Sequence, residues 1–215
     1  KNNLINFEKI YVSPGISLRQ KKFNIKIKSS KLQRDLNLYF SNINNQKIIA
    51  ITGTNGKSTT TKLIGDLLKK NNKKTFVGGN IGMPLCDAIT NKREYSYHVV
   101  ELSSFQLETA KNLNTEISIL TNIANDHLDR YKNMTDYISQ KKKIISKTGI
   151  NIISIDDKYS KNIYLQKKIK NKICFSILDK AADIYMGEKY ILDNYFKNNK
   201  KIYLKKISKD LEGHF

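Results

Sequence analysis

The chain has 215 residues, enough to bury a substantial core, and carries a formal net charge of +20 from 39 basic against 19 acidic residues. All but four of the basic residues are lysines scattered among Asn and Ile. With no base-stacking aromatic motif beside them, the charge reads as compositional bias and argues against a nucleic-acid partner. Two distant cysteines, Cys86 and Cys174, exclude a C-x-x-C framework, and no apolar run approaches the ~18 residues that cross a bilayer, so a cytoplasmic protein without a membrane partner is expected.

Residues 1–44 read as a separate piece too short to stand alone. It holds a strand signal at Ile10-Tyr11-Val12, the turn Ser13-Pro14-Gly15 and a lysine-rich stretch ending near Leu36, Tyr39 and Phe40. The polar run from Ser41 to Gln46 reads as a linker out of it. From Lys47 strands and helices alternate. Strands are expected over 47–52, 74–77, 97–102, 116–122, 151–155 and 172–176, and helices over 57–70, 83–90, 104–112, 134–146 and 158–169. That order predicts an α/β fold, a mainly parallel sheet with helices on both faces. Beyond residue 182 short strands and turn residues predict a small antiparallel β appendage.

After the first strand of this series comes Gly53-Thr54-Asn55-Gly56-Lys57-Ser58-Thr59. Its glycines permit a tight turn whose N–H groups converge on an anion, and the following helix adds the positive end of its dipole. Lys57 supplies a mobile ammonium for the outer phosphates, and Ser58 stands where a Walker-type loop places its magnesium ligand. The two glycines are three positions apart, closer than in the usual G-x-x-x-x-G-K-[ST] loop.

Reactive groups of an open parallel sheet gather outside the carboxyl ends of its strands. There the sequence sets Asn80 in a glycine turn, Glu101 before Ser103 and Ser104, and His127 in the segment after the 116–122 strand. Ser58 and Glu101 make a sensible first magnesium site, and His127 could serve a second. Equally, Glu101 could cap the following helix and His127 could be a hydrogen-bonded loop residue.

GTNGKSTTT, GGNIG, ELSSFQLE and NDHLDRY, in this order and at these separations, resemble the ATP-dependent Mur ligases of peptidoglycan synthesis. The resemblance is strong over residues 47 to about 150, weaker over 10–40 and only architectural beyond. It implies a P-loop-like central ATP-binding domain over 45–215, preceded in 1–44 by the tail of a uridine-nucleotide-binding domain. It also implies that Lys57 contacts the ATP phosphates, that Ser58 or Thr59 and Glu101 ligate magnesium, and that His127 serves a second magnesium. Asn80, Ser103 and Gln106 match positions associated with the nucleotide-sugar substrate. The family's carbamylated, metal-bridging lysine falls on Lys141, with Lys142 and Lys143 as neighbours in register.

Within the family the match is to the branch that joins D-glutamate to UDP-N-acetylmuramoyl-L-alanine through an acyl phosphate. A sibling Mur ligase, a folylpolyglutamate-type ligase or a non-catalytic nucleotide-binding module is the alternative. Folylpolyglutamate synthases share the GTNGK loop but lack the SSFQL segment. The chain begins with Lys1 and stops at Phe215, about where an adenine-contacting motif would begin. A piece of a longer, monomeric polypeptide is therefore expected, lacking a third, ligase domain and incomplete for catalysis.

Overall fold

The computed structural model describes residues 4–18, 27–43, 45–90, 94–111, 113–126, 129–196 and 200–203. Near the start, β1 (Ile10–Tyr11) pairs in parallel with β2 (Leu32–Gln33), and Val12 and Leu32 close a small apolar cluster. Helix α1 (Asp35–Asn42) follows. It takes in Ser41 and Asn42, so the expected linker is shorter than its polar composition suggested. Leu36 and Tyr39 on its inner face pull it into the main core.

Among the described residues the main sheet has nine strands. Its parallel part comprises β3 (Lys47–Thr52), β4 (Thr75–Gly79), β5 (Tyr97–Glu101), β6 (Ile117–Leu120), β7 (Ile150–Ser154), β8 (Lys172–Ser176) and β9 (Ile184–Met186). In space they run β4-β5-β3-β6-β7-β8-β9, and the antiparallel β10 (Tyr190–Asp193) and β11 (Lys200–Tyr203) continue the same sheet. The expected appendage is thus an extension of the sheet's edge.

The connecting helices are α2 (Lys57–Lys70), α3 (Asp87–Thr90), α4 (Ser104–Leu107), α5 (Met134–Lys142) and α6 (Lys158–Tyr164). Four are shorter than their patterns predict. Around 83–86 the chain turns through Pro84, whose carbonyl accepts from Asp87 N–H, before α3 begins. After α5, Ile144 and Ile145 continue in three-residue turns that set Ile144 into the core. Strand β6 ends at Leu120: Thr121 N–H still donates to the Thr52 carbonyl, and from there the side chains of Thr121 and Asn122 bind the loop that follows β3.

Alternation along β3 divides the core. Ile48 and Ala50 join Phe76, Val100, Leu36, Tyr39 and Ile144 on one face, while Ile49 and Ile51 meet Val99, Ile119 and Ile64 and Leu68 of α2 on the other. Covering both faces is why the strand reads as an unbroken apolar run. In the first layer His98 is buried, its Nδ1 2.8 Å from the Tyr39 hydroxyl, and burial lowers its pKa to about 4. Among the described residues no helix is long and apolar enough to cross a membrane.

Candidate active site

Strands β3, β5 and β6 are parallel neighbours, so their carboxyl ends open on one edge. Register places Ile51 beside Glu101 and Thr52 beside Leu120. The glycine-rich loop therefore leaves β3 between the acidic tip of β5 and the polar tip of β6.

The tip of β6 holds this loop in shape. Thr54 N–H donates to the Asn122 carbonyl and Asn55 N–H to Asn122 Oδ1, each at 2.9 Å, while Thr121 Oγ1 donates to the Asn55 carbonyl at 2.7 Å. The approach is close enough that a Cβ on Gly53 would lie 1.8 Å from Thr121 Oγ1. Thr54 Oγ1 accepts from Ala124 N–H at 2.9 Å and lies 3.2 Å from the Tyr137 hydroxyl. Gly56, at φ +78°, takes the left-handed conformation that starts α2 and offers no side-chain cap. The first-turn N–H groups of a fourteen-residue helix are thereby left for a ligand, with the dipole behind them. Lys57 Nζ lies beside them, donating to the Thr54 carbonyl at 2.7 Å. That geometry suits an anion.

Glu101 is 1 % exposed, and its carboxylate accepts from Ser58 Oγ and Asn80 Nδ2, each at 2.8 Å. Among the described residues no cation lies within ion-pair distance of it. A buried carboxylate met only by neutral donors is costly, and a hard cation beside the Ser58 hydroxyl would relieve that cost. The alternative role for Glu101 goes to its neighbours. Ser103 caps α4, its Oγ accepting from Gln106 N–H at 3.2 Å while Gln106 Oε1 accepts from Ser103 N–H at 3.1 Å. Gln106 is buried, and its Nε2 donates to Asp35 of α1. Asn80 is exposed beside Glu101, whereas Thr59 is exposed and apart from the carboxylate's bonds.

The three consecutive lysines diverge. Lys141, 2 % exposed, donates to the Gly53 carbonyl and lies 4.8 Å from the Tyr137 ring centroid. Lys142 reaches Gln166, and Lys143 reaches the Glu108 carbonyl. Burial first and the Lys57 charge second bring the Lys141 amine down to about 7, against the opposing pull of Asp126 and Glu101. His127 lies outside the described residues. Among the described residues no three His, Cys, Asp or Glu side chains gather as a metal cluster.

The structure thus brings Gly53, Thr54, Asn55, Gly56, Lys57, Ser58, Asn80, Glu101 and Lys141 to one edge of the sheet. It adds Thr121 and Asn122, for which the polar residues immediately after β6 were the available signal, and it sets Tyr137, whose four-residue spacing marks Lys141, beside Thr54.

Residues 51–211 match the family model of the Mur ligase middle domain. The chain belongs to the Mur ligase family. As a Mur ligase chain it is 39 % identical to the UDP-N-acetylmuramoylalanine–D-glutamate ligase of Rickettsia prowazekii (strain Madrid E), and 42 % to that of Rickettsia bellii (strain RML369-C). Each alignment covers 97 % of this chain and 47 % of the relative, so the chain spans about half the length of these curated relatives. Among solved structures, a UDP-N-acetylmuramoyl-L-alanyl-D-glutamate–2,6-diaminopimelate ligase superposes with a TM-score of 0.61 at 18 % identity, covering 76 % of this chain and 39 % of that one. A pseudomurein peptide ligase type C from Methanothermus fervidus gives 0.52 at 20 % identity, covering 94 % and 42 %. Those two likenesses show that the fold is the Mur ligase fold.

Proposed function

We propose that the whole protein is a cytoplasmic, monomeric ATP-dependent amide ligase that joins D-glutamate to UDP-N-acetylmuramoyl-L-alanine in peptidoglycan synthesis. The identity to two D-glutamate ligases over nearly the entire chain carries this reading. The gathering of Lys57, Ser58, Glu101 and Lys141 around one anion cradle supports it. Residues 1–44 would be the tail of the uridine-nucleotide-binding domain and 45–215 the central domain.

A carboxylate approaching the γ-phosphate of ATP brings like charges together, and the site must offset them. Lys57 and the open N–H groups of α2 would bind and orient the phosphates, with Gly53, Thr54, Asn55 and Gly56 shaping the cradle. Ser58, or Thr59 beside it, and Glu101 would hold one Mg²⁺, with His127 and a carbamylated Lys141 serving a second. Bound there, magnesium supplies charge neutralisation to the transferring phosphoryl group. A buried amine lowered to about 7 is substantially neutral near neutral pH, the form that reacts with carbon dioxide, and the carbamate would return a negative charge to the metals. Asn80 and Ser103 would address the nucleotide sugar, while Gln106 would act through its cap on Ser103 and its bond to Asp35. The acyl phosphate then formed would be attacked by the amine of D-glutamate, releasing phosphate and leaving an amide.

The test is Mg²⁺-dependent ATP binding by calorimetry, followed by an acceptor screen of the full-length natural protein. Wild type should bind and Lys57→Ala should lose binding by at least tenfold. D-Glutamate should be the amino acid that gains ATP-dependent amide formation; turnover with another acceptor in its place would reassign the branch.

A further inference from the structure

A second polar knot lies beside the strand tips. Arg34, fully buried at the start of α1, donates to the carbonyls of Val12 and Ile16, each at 3.0 Å, to the Ser13 carbonyl, and to Glu108. Arg130 donates to the carbonyls of Pro14 at 2.7 Å, Gly15 at 3.1 Å and Ile16 at 3.3 Å, and stands 3.4 Å from the same Glu108 oxygen. Its guanidinium lies 3.8 Å from the Phe105 ring centroid. Five consecutive carbonyls, those of residues 12–16, are thus held by two guanidinium groups joined through one carboxylate.

The choice of residue bears on what the knot does. In a chain whose basic residues are nearly all lysine, both described arginines are used here. A guanidinium presents five donors in a rigid plane and can serve several carbonyls and a carboxylate together, whereas an ammonium is a compact point charge on a flexible stem. The knot therefore depends on fork geometry as well as charge. Its anchors are informative too: Phe105 and Glu108 belong to the segment after β5 that carries Ser103, and Arg130 to the segment after β6 that braces the phosphate loop. Ser13 and Gly15 remain exposed on the held loop.

We propose that Arg34, Glu108 and Arg130 are positioning residues that fix residues 12–16 against the strand-tip segments and so set the acid-substrate side of the site, independently of the ATP cradle. The assignment to the acid substrate rests on the function proposed above; the clamp itself does not.

Two measurements separate them, both on the full-length natural protein. In steady-state kinetics Arg130→Lys should raise KM for UDP-N-acetylmuramoyl-L-alanine at least tenfold, with kcat and KM for ATP within twofold of wild type. An unchanged KM for the acid, or a parallel fall in all parameters with loss of folded protein, would overturn the positioning role. Hydrogen exchange tests the clamp without any assay of turnover. Arg130→Lys should speed exchange of the Val12 and Ile16 amides, which donate to the Gln33 and Ser13 carbonyls, at least tenfold and leave residues 53–58 unchanged, and unaltered exchange at both would overturn it. Arg34→Lys should act in the same direction. Arg130, whose side chain is 10 % exposed, carries the test if the buried Arg34 variant does not fold. Wild-type protein that never turns over this acid, yet shows the expected exchange, would refute the function and leave the clamp standing.

Discussion

The two ends of the nine-stranded sheet are built differently. Around β3, β5 and β6 both faces are covered, and Ala50, Ile51, Val99, Val100 and Leu120 are fully buried. At the other edge β9, β10 and β11 carry the half-buried Tyr185 and Tyr190 and the exposed Tyr203: the rings of Tyr185 and Tyr203 lie 6.2 and 6.4 Å from that of Tyr190, and Lys201 lies over Tyr190. Asp193 is the buried residue of β10 there, and it caps the following turn through Tyr195 and Phe196 N–H. The contrast shows where rigidity is concentrated. Strand tips that must hold a loop in place grow from the doubly covered end, while the other edge is held by ladder bonds and surface contacts.

Substitutions at the two ends can break this comparison. The largest effect is expected at the covered end: Phe76→Ala on β4, removing a ring with no exposure that packs edge-on to Tyr95 and beside His98, should cost about 3–5 kcal/mol in urea unfolding. A loss below about 1 kcal/mol would mean the central core is loosely packed.

Acid should sharpen the same contrast, through His98. Burial depresses its pKa from 6.5 to about 4, so between these values the unfolded chain binds the proton more readily than the folded one. Stability is then fully present above about pH 6.5 and lost as pH falls towards 4. Between pH 7.5 and 4.5 wild type should lose on the order of 2–3 kcal/mol more than His98→Gln, as read from paired urea titrations. Equal slopes for the two proteins would remove His98 as the cause.

The smallest effect belongs to the edge. Tyr203→Ala, which removes a ring that is 71 % exposed, should change unfolding stability by no more than about 0.5 kcal/mol. A larger loss would show that the edge strands share the central cooperativity.

The same division governs what was legible beforehand. Strands β3 and β8 have the bounds their patterns predict, and α2 runs over the expected residues, because a buried parallel strand and a helix after a glycine turn are local signals. Helices α3 to α6 came out shorter, since apolar residues that continue a helical period can be recruited to the core by a turn instead, as Ile144 is. At the site, Lys57, Ser58 and Glu101 were legible from type and spacing. The braces Asn122 and Thr121 were not, because their partner Asn55 lies more than sixty residues away.

By itself the sequence determined the glycine-rich turn and the helix after it, the parallel α/β architecture and the family, all carried by contiguous motifs. Tertiary structure alone decided which of Lys141, Lys142 and Lys143 faces the loop, that Ser103 and not Glu101 caps α4, and that two arginines hold residues 12–16. Adjacent residues on a helix point in directions about 100° apart, so neighbours in sequence meet different surroundings. Only the packed register of β3, β5 and β6 fixes which surroundings those are.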